Sequence, residues 1–390
     1  MADFGREAHA MKETLVSWRR DLHQIPEVGT ELPQTVAYIK DRLEEMEIPF
    51  KVYEDISCVT GTIGQGEPCF LLRADMDALQ VAEEAEVEFK STNGCMHGCG
   101  HDMHATMLLG AARLLKAHES ELKGTVKLLF QSGEEIFQGA KAAIEAGVLE
   151  KPHVDAAFAA HVIGSVPTGL ILTGKEAMSA VYGFRITLTG RGGHGSMPEQ
   201  TIDPINAGVQ VYLALQALIA REKGGTEEAV LTIGQFSAGD VANVIPERAV
   251  LQGTMRTFNR DVRKRFIERI NEIVPAVAAA YRCSAEIEVI NDCPSVITDD
   301  EVTAHVDREI RKILPYMQVA GGAMHGMGSE DFAQITEKVP SAYYMMGAGV
   351  PDKSKWVGQH NPKVMFNEDV LPTGAAIYAQ VAKSWLDDQN

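Results

Sequence analysis

Hydrophobic residues in the first 180 positions follow two alternating spacings. Short continuous apolar runs at 69–72, 125–130 and 156–160 are typical of strands that are buried on both faces. Between them lie stretches with apolar residues every three or four positions, such as 104–118, which predict helices. Strands that alternate with helices predict an α/β layer built on a mostly parallel sheet.

The spacing changes at residue 182 and changes back after Pro294. Residues 182–189 alternate between apolar and polar side chains, which predicts a half-exposed strand. The pattern then predicts a helix at 203–220, strands at 229–236 and 248–258, a helix at 261–281 and a strand at 285–290. This βαββαβ order is the ferredoxin-like split βαβ unit. We therefore predict an α/β domain in two parts, 1–181 and 292–390, with a ferredoxin-like domain of residues 182–291 inserted between them.

Composition narrows the class of protein. A chain of 390 residues is too long for one compact core, which agrees with two domains. The net charge of −18 argues against a nucleic-acid partner, because phosphate binding needs clustered lysine and arginine. No apolar run reaches the roughly 20 residues that span a bilayer, and no apolar stretch of a secretory signal is visible. Six cysteines in so long a chain predict reduced thiols and a cytoplasmic protein rather than a disulfide scaffold.

Polar residues directly follow each of the three predicted strands of the first part. They are Asp75 and Asp77 after the first strand, Glu134 and Glu135 after the second, and His161 after the third. Ligands of open α/β sheets bind at the carboxyl ends of the strands. We therefore expect these side chains to contribute to one site.

A loop at 94–104 adds two cysteines and three histidines. Cys99 and His101 are separated by one glycine, and a thiolate beside an imidazole suits zinc or another transition metal. Two other interpretations stay open from these residues alone. One is a closed structural zinc site that also uses Cys95 and His97, and the other is a catalytic cysteine–histidine pair. The carboxylates expected nearby favour an open catalytic metal site.

The adjacent carboxylates of Glu134 and Glu135 repel each other unless cations hold them. One of them can bind a metal ion while the other takes a proton from an activated water. The alternative is a solvated pair at the start of a helix, where glutamate is favoured in any case. Asp75 and Asp77 are expected to accept hydrogen bonds from ligand imidazoles or from an arginine.

Three further histidines are candidates for the site. His161 and His360 are candidate metal ligands, although a lone histidine is more often a satisfied core or surface residue. His194 lies in a glycine-rich turn at 191–196 of the inserted domain. From there it could polarise a substrate carbonyl across a cleft.

Seven ordered segments resemble the M20 metallopeptidase family, and in particular its amidohydrolase branch of hippurate hydrolases, auxin-conjugate hydrolases, N-acyl-amino-acid amidohydrolases and N-acetyldiaminopimelate deacetylases. The resemblance spans almost the whole chain. The segments are Arg73-Ala74-Asp75-Met76-Asp77-Ala78-Leu79, Met96-His97-Gly98-Cys99-Gly100-His101-Asp102, Gly133-Glu134-Glu135, Gly192-Gly193-His194, Asn243-Val244-Ile245-Pro246, Gly253-Thr254-Met255-Arg256 and Gly328-Ser329-Glu330-Asp331-Phe332.

The resemblance implies a two-metal catalytic domain with an inserted lid that often mediates dimerisation. Carried over by position, the implied metal ligands are Cys99, His101, Glu135, His161 and His360. The metals would be manganese, zinc, cobalt or nickel. The implied catalytic set is Glu134 as general base, His194 as the lid's oxyanion residue from its own or a partner subunit, and Asp77 beside the metals, while Asn243 and Arg256 would grip the substrate carboxylate.

Two positions depart from the family pattern. Glu199 follows Pro198 in the lid, where many members of the branch have histidine, so the substrate preference is open. Gln80 stands where proline is usual, and we expect only a local effect on the loop.

The predicted function is metal-dependent hydrolysis of an N-acyl amino acid to a carboxylic acid and a free amino acid. In this reaction a metal-activated water attacks the amide while Glu134 takes its proton. The first alternative keeps the metal site and makes the protein a dipeptidase or carboxypeptidase. The second alternative is a non-catalytic protein that binds metal or ligand on the same scaffold.

Overall fold

The computed structural model describes residues 2–389. Two compact units divide the chain. The first contains the residues up to Ala177, then Ile297–His325, then the residues from Asp331 onward. The second contains Met178–Val296 and the short segment Gly326–Glu330, where the sequence pattern placed an insertion at 182–291.

The helices and strands that the apolar spacing predicts lie close to observed ones, and several short strands were not predicted. The α-helices are α1 (Phe4–Ala10), α2 (Lys12–His23), α3 (Pro33–Glu45), α4 (His101–Ala117), α5 (Gly139–Glu145), α6 (Pro204–Glu222), α7 (Arg260–Ala280), α8 (Asp300–Ile313), α9 (Ala333–Thr336) and α10 (Leu371–Asp388). The strands are β1 (Phe50–Tyr53), β2 (Cys58–Gly64), β3 (Cys69–Asp75), β4 (Thr125–Gln131), β5 (Ala156–Pro167), β6 (Leu170–Thr173), β7 (Glu176–Met178), β8 (Ala180–Thr189), β9 (Gly193–His194), β10 (Ala229–Ala238), β11 (Val244–Ile245), β12 (Arg248–Thr257), β13 (Ser284–Cys293), β14 (Val296–Ile297), β15 (Gln318–Gly321) and β16 (Ser341–Gly349).

Within the described residues, the first unit is built around an eight-stranded sheet with the strand order β1-β2-β4-β3-β5-β16-β6-β15. The four central strands, from β4 to β16 in that order, pair in parallel. Strand β2 pairs antiparallel with β4, and β6 pairs antiparallel with β16. The sheet is therefore parallel at its centre and mixed toward its edges, and the predicted α/β class is confirmed.

One face of this sheet carries the main hydrophobic core. Phe70, Leu72 and Ala74 are alternate residues of β3, and all three are buried in this core. Alternate residues of a strand point to the same face, so one row of apolar side chains serves that face. Helices α4 and α10 pack on each other and on β3, and Trp385 of α10 contacts the Phe70 ring at 5.1 Å between centroids.

The opposite face of β3 carries a buried arginine. The guanidinium of Arg73 donates to Asp75 Oδ2 at 2.7 Å, to Gln131 Oε1 at 3.0 Å and to Asp331 Oδ1 at 2.8 Å. Asp331 Oδ2 also accepts from the backbone N–H of Ala140, in the first turn of α5, at 2.8 Å. A buried charge is tolerated only when it is paired and hydrogen-bonded. This network therefore holds the ends of β3 and β4 and the start of α5 in fixed positions.

The predicted end of the third strand is wrong. We expected the strand to stop at His161, but β5 continues to Pro167. It continues because β16 pairs alongside it in parallel, from Ser341 opposite Ala157 to Gly349 opposite Pro167. His161 therefore projects from the interior of a strand rather than from a loop.

The second unit contains a four-stranded antiparallel sheet with the order β10-β12-β8-β13. In chain order these are the second, third, first and fourth strands, which is the ferredoxin-like arrangement. Helices α6 and α7 pack against this sheet. Phe184, Ile186 and Leu188 of β8 are fully buried in the core of this unit. The predicted βαββαβ unit is confirmed.

Lys127 of β4 is the most unusual polar residue of the first sheet. It is 4% exposed, and its ammonium donates to three backbone carbonyls of the loop between α5 and β5. The acceptors are Val148 at 2.8 Å, Glu150 at 3.0 Å and Pro152 at 2.8 Å. Burial lowers the pKa of Lys127. One side chain thus ties a loop of irregular backbone to the sheet.

Lys127→Met is expected to lower the free energy of unfolding by about 1–3 kcal/mol, because it leaves buried carbonyl groups without a donor. Urea unfolding of the two proteins measures this difference. The matched control is Lys338→Met, which removes an exposed lysine of the same unit and should change stability by less than about 0.5 kcal/mol. Equal stability of the two variants would show that Lys127 does not fix the loop.

Candidate metal centre

The first unit brings most of the predicted site residues together. The residues that meet there are Asp77, Cys99, His101, Glu134, Glu135, His161 and His360. The other three predicted residues, His194, Asn243 and Arg256, belong to the second unit.

The loop that precedes α4 is shaped by a glycine. Gly100 has a φ of +89°, and a Cβ atom there would lie 2.5 Å from Cγ2 of Val162, so a side chain is excluded. The backbone N–H of His360 donates to the carbonyl of Gly98 at 3.0 Å. This bond attaches the C-terminal segment that carries His360 to the loop.

Two groups of potential ligands share one side chain. Cys99, His101 and His161 form the first group, and Cys99, Glu135 and His360 form the second. Within each group the ligand atoms lie within 4.8 Å of one another. Because Cys99 belongs to both groups, its sulfur lies within 4.8 Å of a potential ligand atom of each of the other four side chains. Thiolate, imidazole and carboxylate together are a donor set for transition metals.

The two imidazoles of the first group are oriented by backbone carbonyls. The Nδ1 atom of His101 lies 2.9 Å from the carbonyl oxygen of Asp77, and that of His161 lies 2.7 Å from the carbonyl oxygen of Val162. A carbonyl only accepts, so each Nδ1 carries a hydrogen, and each Nε2 offers a lone pair when the ring is neutral. The Nε2 atom of His161 lies 3.4 Å from the Cys99 sulfur. A hydrogen bond behind each ring is the usual support of a histidine ligand.

Polar atoms without partners mark the same place. Among the described residues, the buried side-chain atoms that make no hydrogen bond include His101 Nε2 and Glu135 Oε1 of this site, together with others elsewhere in the protein. A buried polar atom without a partner costs roughly 1–3 kcal/mol, so native proteins seldom keep one. The lone pair of a neutral imidazole and a carboxylate oxygen both fit a cation. The residues present therefore fit bound divalent metal ions.

The ionisation of the site follows from its burial. Burial raises the pKa of the Cys99 thiol above its usual range, with a further contribution from the charge of Glu135. Burial also raises the pKa of Glu135, to about 7, against the opposing charge of His101. Burial alone would lower the pKa of His101, but Asp75 and the hydrogen bond to Asp77 raise it well above its usual value. Without metal, Cys99 and His101 therefore hold their protons at neutral pH, and Glu135 holds one below about pH 7.

Two alternative interpretations of the loop lose support. Among residues 2–389, no group of potential ligands includes Cys95 or His97, which a closed zinc site would need. Burial lowers the pKa of His97 to about 3, so its ring stays neutral. The raised pKa of Cys99 also disfavours a metal-free thiolate nucleophile, because a thiol attacks as the thiolate.

Asp77 supports the site from behind. Its Oδ2 atom accepts from the backbone N–H of Glu135 at 3.1 Å, and its Oδ1 atom lies 3.3 Å from Nδ1 of His101. This carboxylate, which is fully buried, therefore orients one residue from each ligand group.

Two supporting residues were missed by the sequence analysis. His104 Nε2 accepts from the backbone N–H of Val162 at 2.8 Å, so its Nδ1–H donates to Asp75 at 2.5 Å. The His104 ring also lies against the His161 ring at 4.4 Å between centroids. Gln359 donates from Nε2 to the carbonyl of Val162 at 2.9 Å. Both residues stand one to three positions from predicted ligands, and neither residue type signals such a role alone.

In the second unit, His194 and Asn243 lie on paired segments. Strand β9 pairs with β11, which places His194 opposite Val244, and the N–H of Gly195 donates to the carbonyl of Asn243 at 2.8 Å. The backbone N–H of Ser196 donates to His194 Nδ1 at 3.2 Å, so the ring hydrogen of neutral His194 is on Nε2. His194 is exposed and can present that N–H to a ligand.

Arg256 lies elsewhere in the second unit. It stands on β12, and its guanidinium donates to the hydroxyl of Ser329. Burial lowers the pKa of Arg256. The ordinary pKa of arginine lies far above neutrality, so the guanidinium is taken as charged.

Comparisons with known proteins agree on one family. The sequence model of peptidase family M20/M25/M40 matches residues 71–384. A solved structure of the YxeP protein of Bacillus subtilis, described as a dinuclear metal binding peptidase from the M20 family, is 32% identical with a TM-score of 0.82. That match covers 97% of this chain and 99% of the other.

Curated relatives match along nearly the whole chain. The IAA-amino acid hydrolase ILR1-like 2 of Arabidopsis thaliana is 36% identical, over 96% of this chain and 86% of that protein. The N-acetylcysteine deacetylase of Bacillus subtilis (strain 168) is 35% identical, over 96% and 97%. Thermostable carboxypeptidase 1 of Saccharolobus solfataricus is 33% identical, over 96% of each chain.

Loading the metal-free protein with zinc or manganese is expected to release protons. Both Cys99 and Glu135 have raised pKa values and must lose their protons to bind a cation, so metal affinity should fall as the pH is lowered from 8 to 6. Isothermal titration calorimetry in buffers of different ionisation enthalpy counts the protons released. Binding without proton release would contradict the assigned ligands.

Proposed function

Since the chain belongs to peptidase family M20/M25/M40, we propose that it is a metal-dependent amidohydrolase that cleaves the amide bond of N-acyl amino acids. The observation that carries this proposal is the pair of ligand groups that share Cys99, with Glu134 beside them. The names of two relatives, an IAA-amino acid hydrolase and an N-acetylcysteine deacetylase, support an N-acyl amino acid as the small-molecule substrate.

We propose that two divalent metal ions per subunit occupy the site, held by Cys99, His101, Glu135, His161 and His360. Manganese, zinc, cobalt and nickel all accept this mixture of ligands. When bound, they supply Lewis-acid chemistry that acidifies water and polarises an amide carbonyl.

Glu134 is the proposed general base. It is 6% exposed and lies in the same group of potential ligands as His101 and Glu135, with its Oε2 atom 3.9 Å from His101 Nε2. In hydrolysis Glu134 takes a proton from the attacking water. It then passes the proton to the nitrogen as the C–N bond breaks, which releases a carboxylic acid and an amino acid. Asp77 acts as a positioning residue for His101 and Glu135.

The second unit supplies the proposed substrate contacts. His194 donates from Nε2 to the oxyanion that forms on the substrate carbonyl, a role that needs the tautomer set by Ser196. Its own subunit or a partner subunit provides this histidine. Arg256 remains charged and suits the α-carboxylate of the substrate, and the amide of Asn243 offers a second donor. In this proposal the second unit serves as the lid that the family resemblance implies.

The carboxypeptidase alternative is less favoured. Two relatives are named carboxypeptidases, at 33% and 34% identity, slightly below the 36% and 35% of the IAA-amino acid hydrolase and the N-acetylcysteine deacetylase. A carboxypeptidase would need room for a peptide on the acyl side, and a dipeptidase would need an acidic anchor for a free amine.

A homodimer through the second unit is part of the proposal. The outer strand β10 exposes Val230 and Phe236, and the adjacent helix α6 exposes apolar side chains with helical spacing. Those of α6 are Ile205, Val209, Tyr212 and Leu213, between 37% and 53% exposed. An unpaired edge strand beside an apolar helix face suits a symmetric contact with a second copy.

Among the described residues, no helix is both long and apolar enough to cross a membrane. A cytoplasmic location stays a prediction. It is supported by the cysteines, since all six lie in the described part of the chain and have no disulfide partner there, as expected where thiols are kept reduced.

The reaction is tested by amine release from N-acetyl, N-benzoyl and long-chain N-acyl amino acids and from simple dipeptides, using protein reloaded with manganese or zinc. Metal-dependent cleavage of the acyl amino acids is expected. Glu134→Gln should keep its metal content and lose activity by about 10²–10⁴-fold, because only proton transfer is removed. Metal analysis of the purified variant checks the first part.

The matched control for this experiment is Glu145→Gln, which changes an exposed glutamate of α5 and should retain full activity. Near-normal rates in Glu134→Gln would overturn the base assignment. Cleavage of dipeptides alone would establish the peptidase alternative.

Leu213→Glu is expected to convert a dimer into monomers, because it places a charge in the apolar face of α6. Sedimentation velocity measures the change. Val289→Glu, on the outer strand β13 at the other edge of the sheet, is the control and should leave the dimer intact. A wild-type monomer, or a dimer that only Val289→Glu dissociates, would rule out the proposed interface.

A further inference from the structure

A buried network of side chains with alternating charges lies beside the loop that carries Cys99 and His101. It involves Arg19 and His23 of helix α2, Glu83 of a loop, and Asp102 in the first turn of α4. All four residues are between 1% and 8% exposed. Asp102 is the residue of this network nearest to the metal centre, because it directly follows the proposed ligand His101 in the sequence.

The contacts within this network are short and continuous. Asp102 Oδ2 accepts from Arg19 Nε at 2.7 Å and lies 2.8 Å from His23 Nδ1. His23 Nε2 lies 3.0 Å from Glu83 Oε1. Both ring nitrogens of His23 therefore face carboxylate oxygens. These two carboxylates raise the pKa of His23, although burial and Arg19 act to lower it.

Both ends of this network, Glu83 and Arg19, are attached to other segments of the protein. Glu83 Oε2 accepts from the backbone N–H of Ser91 at 2.8 Å, and the Ser91 hydroxyl donates to the carbonyl of Cys95. At the other end, Arg19 Nη1 donates to Glu368 Oε1 at 3.3 Å. The loop from residue 95 to residue 102 is thus held at both of its ends by one network.

We propose that Arg19, His23 and Glu83 are positioning residues for the metal centre, which hold Asp102 and Cys95 so that Cys99 and His101 keep their metal-binding geometry. The inference rests on the proposed metal site. None of the three residues belongs to a group of potential ligands among residues 2–389, so their effect passes through the loop.

The physical reason is the cost of leaving this network incomplete. A buried carboxylate that loses one of its cationic donors must move, take a proton or admit water. Asp102 cannot move without moving the first turn of α4, where His101 lies. Partners that stand behind metal ligands commonly change metal affinity by about 10–100-fold when they are removed.

The test compares two buried histidines of the same unit. His23→Leu removes the centre of the network, whereas His305→Leu removes a 6% exposed histidine whose Nε2 lies 3.2 Å from the carbonyl of Val381 and which joins α8 to α10. Zinc affinity of the metal-free proteins is measured by competition with a chelating dye, without substrate. Thermal unfolding of the same metal-free samples measures stability.

We expect about 10–100-fold weaker zinc binding in His23→Leu and unchanged binding in His305→Leu, with both variants losing stability. Glu83→Gln keeps the shape of the side chain and the fold of the protein. It should weaken zinc binding less than His23→Leu does. Adding Glu83→Gln to His23→Leu should cause little further loss, since both act through the same path.

Unchanged zinc affinity in His23→Leu and Glu83→Gln would overturn the positioning role while leaving the metal centre in place. Equal losses of affinity in His23→Leu and His305→Leu would also overturn it, because the effect would then be general destabilisation. Failure of the wild-type protein to bind zinc would instead overturn the proposed metal centre.

Discussion

The first unit depends on the burial of several ionisable groups in one small space. Burial raises the pKa of Cys99 and Glu135, while the charge of Asp75 raises that of His101, so protons balance the site when metal is absent. Divalent cations can replace those protons, because the same atoms that hold hydrogen also coordinate metal. The proposed metal centre would then have two charge-balanced states within one fold, one with protons and one with metal ions. The surrounding structure must hold the ligands in place in both.

Parallel strands supply the first part of that support. Strands β3 and β4 end side by side, and Arg73 joins Asp75 at the end of one to Gln131 at the end of the other. The imidazoles of His101 and His161 then rest on backbone carbonyls. Carbonyl positions follow from the path of the main chain, and so the direction of each Nε2 lone pair is set by the fold itself.

Much of this arrangement could be predicted from the sequence. The buried runs and the βαββαβ order predicted both units, because burial on two faces and period-two alternation leave clear patterns. The end of β5 was missed, since it depends on pairing with residues of β16 that lie 182–184 positions later in the sequence. The supporting roles of His104 and Gln359 were missed because they depend on hydrogen-bond geometry rather than on spacing. Roles of the second-unit residues remain proposals for the same reason.

The buried charged network beside the 95–102 loop shows why a ligand motif alone does not specify a metal centre. Cys99 and His101 stand two positions apart, yet the segment that carries them is anchored by Arg19 and His23, roughly 80 residues earlier. Helix α2 also packs on α4 through the hydrophobic core. Apolar packing fixes the distance between these helices, and the buried charges then fix which turn of α4 faces which turn of α2. Folding of the N-terminal helices and geometry of the metal site are therefore parts of one constraint.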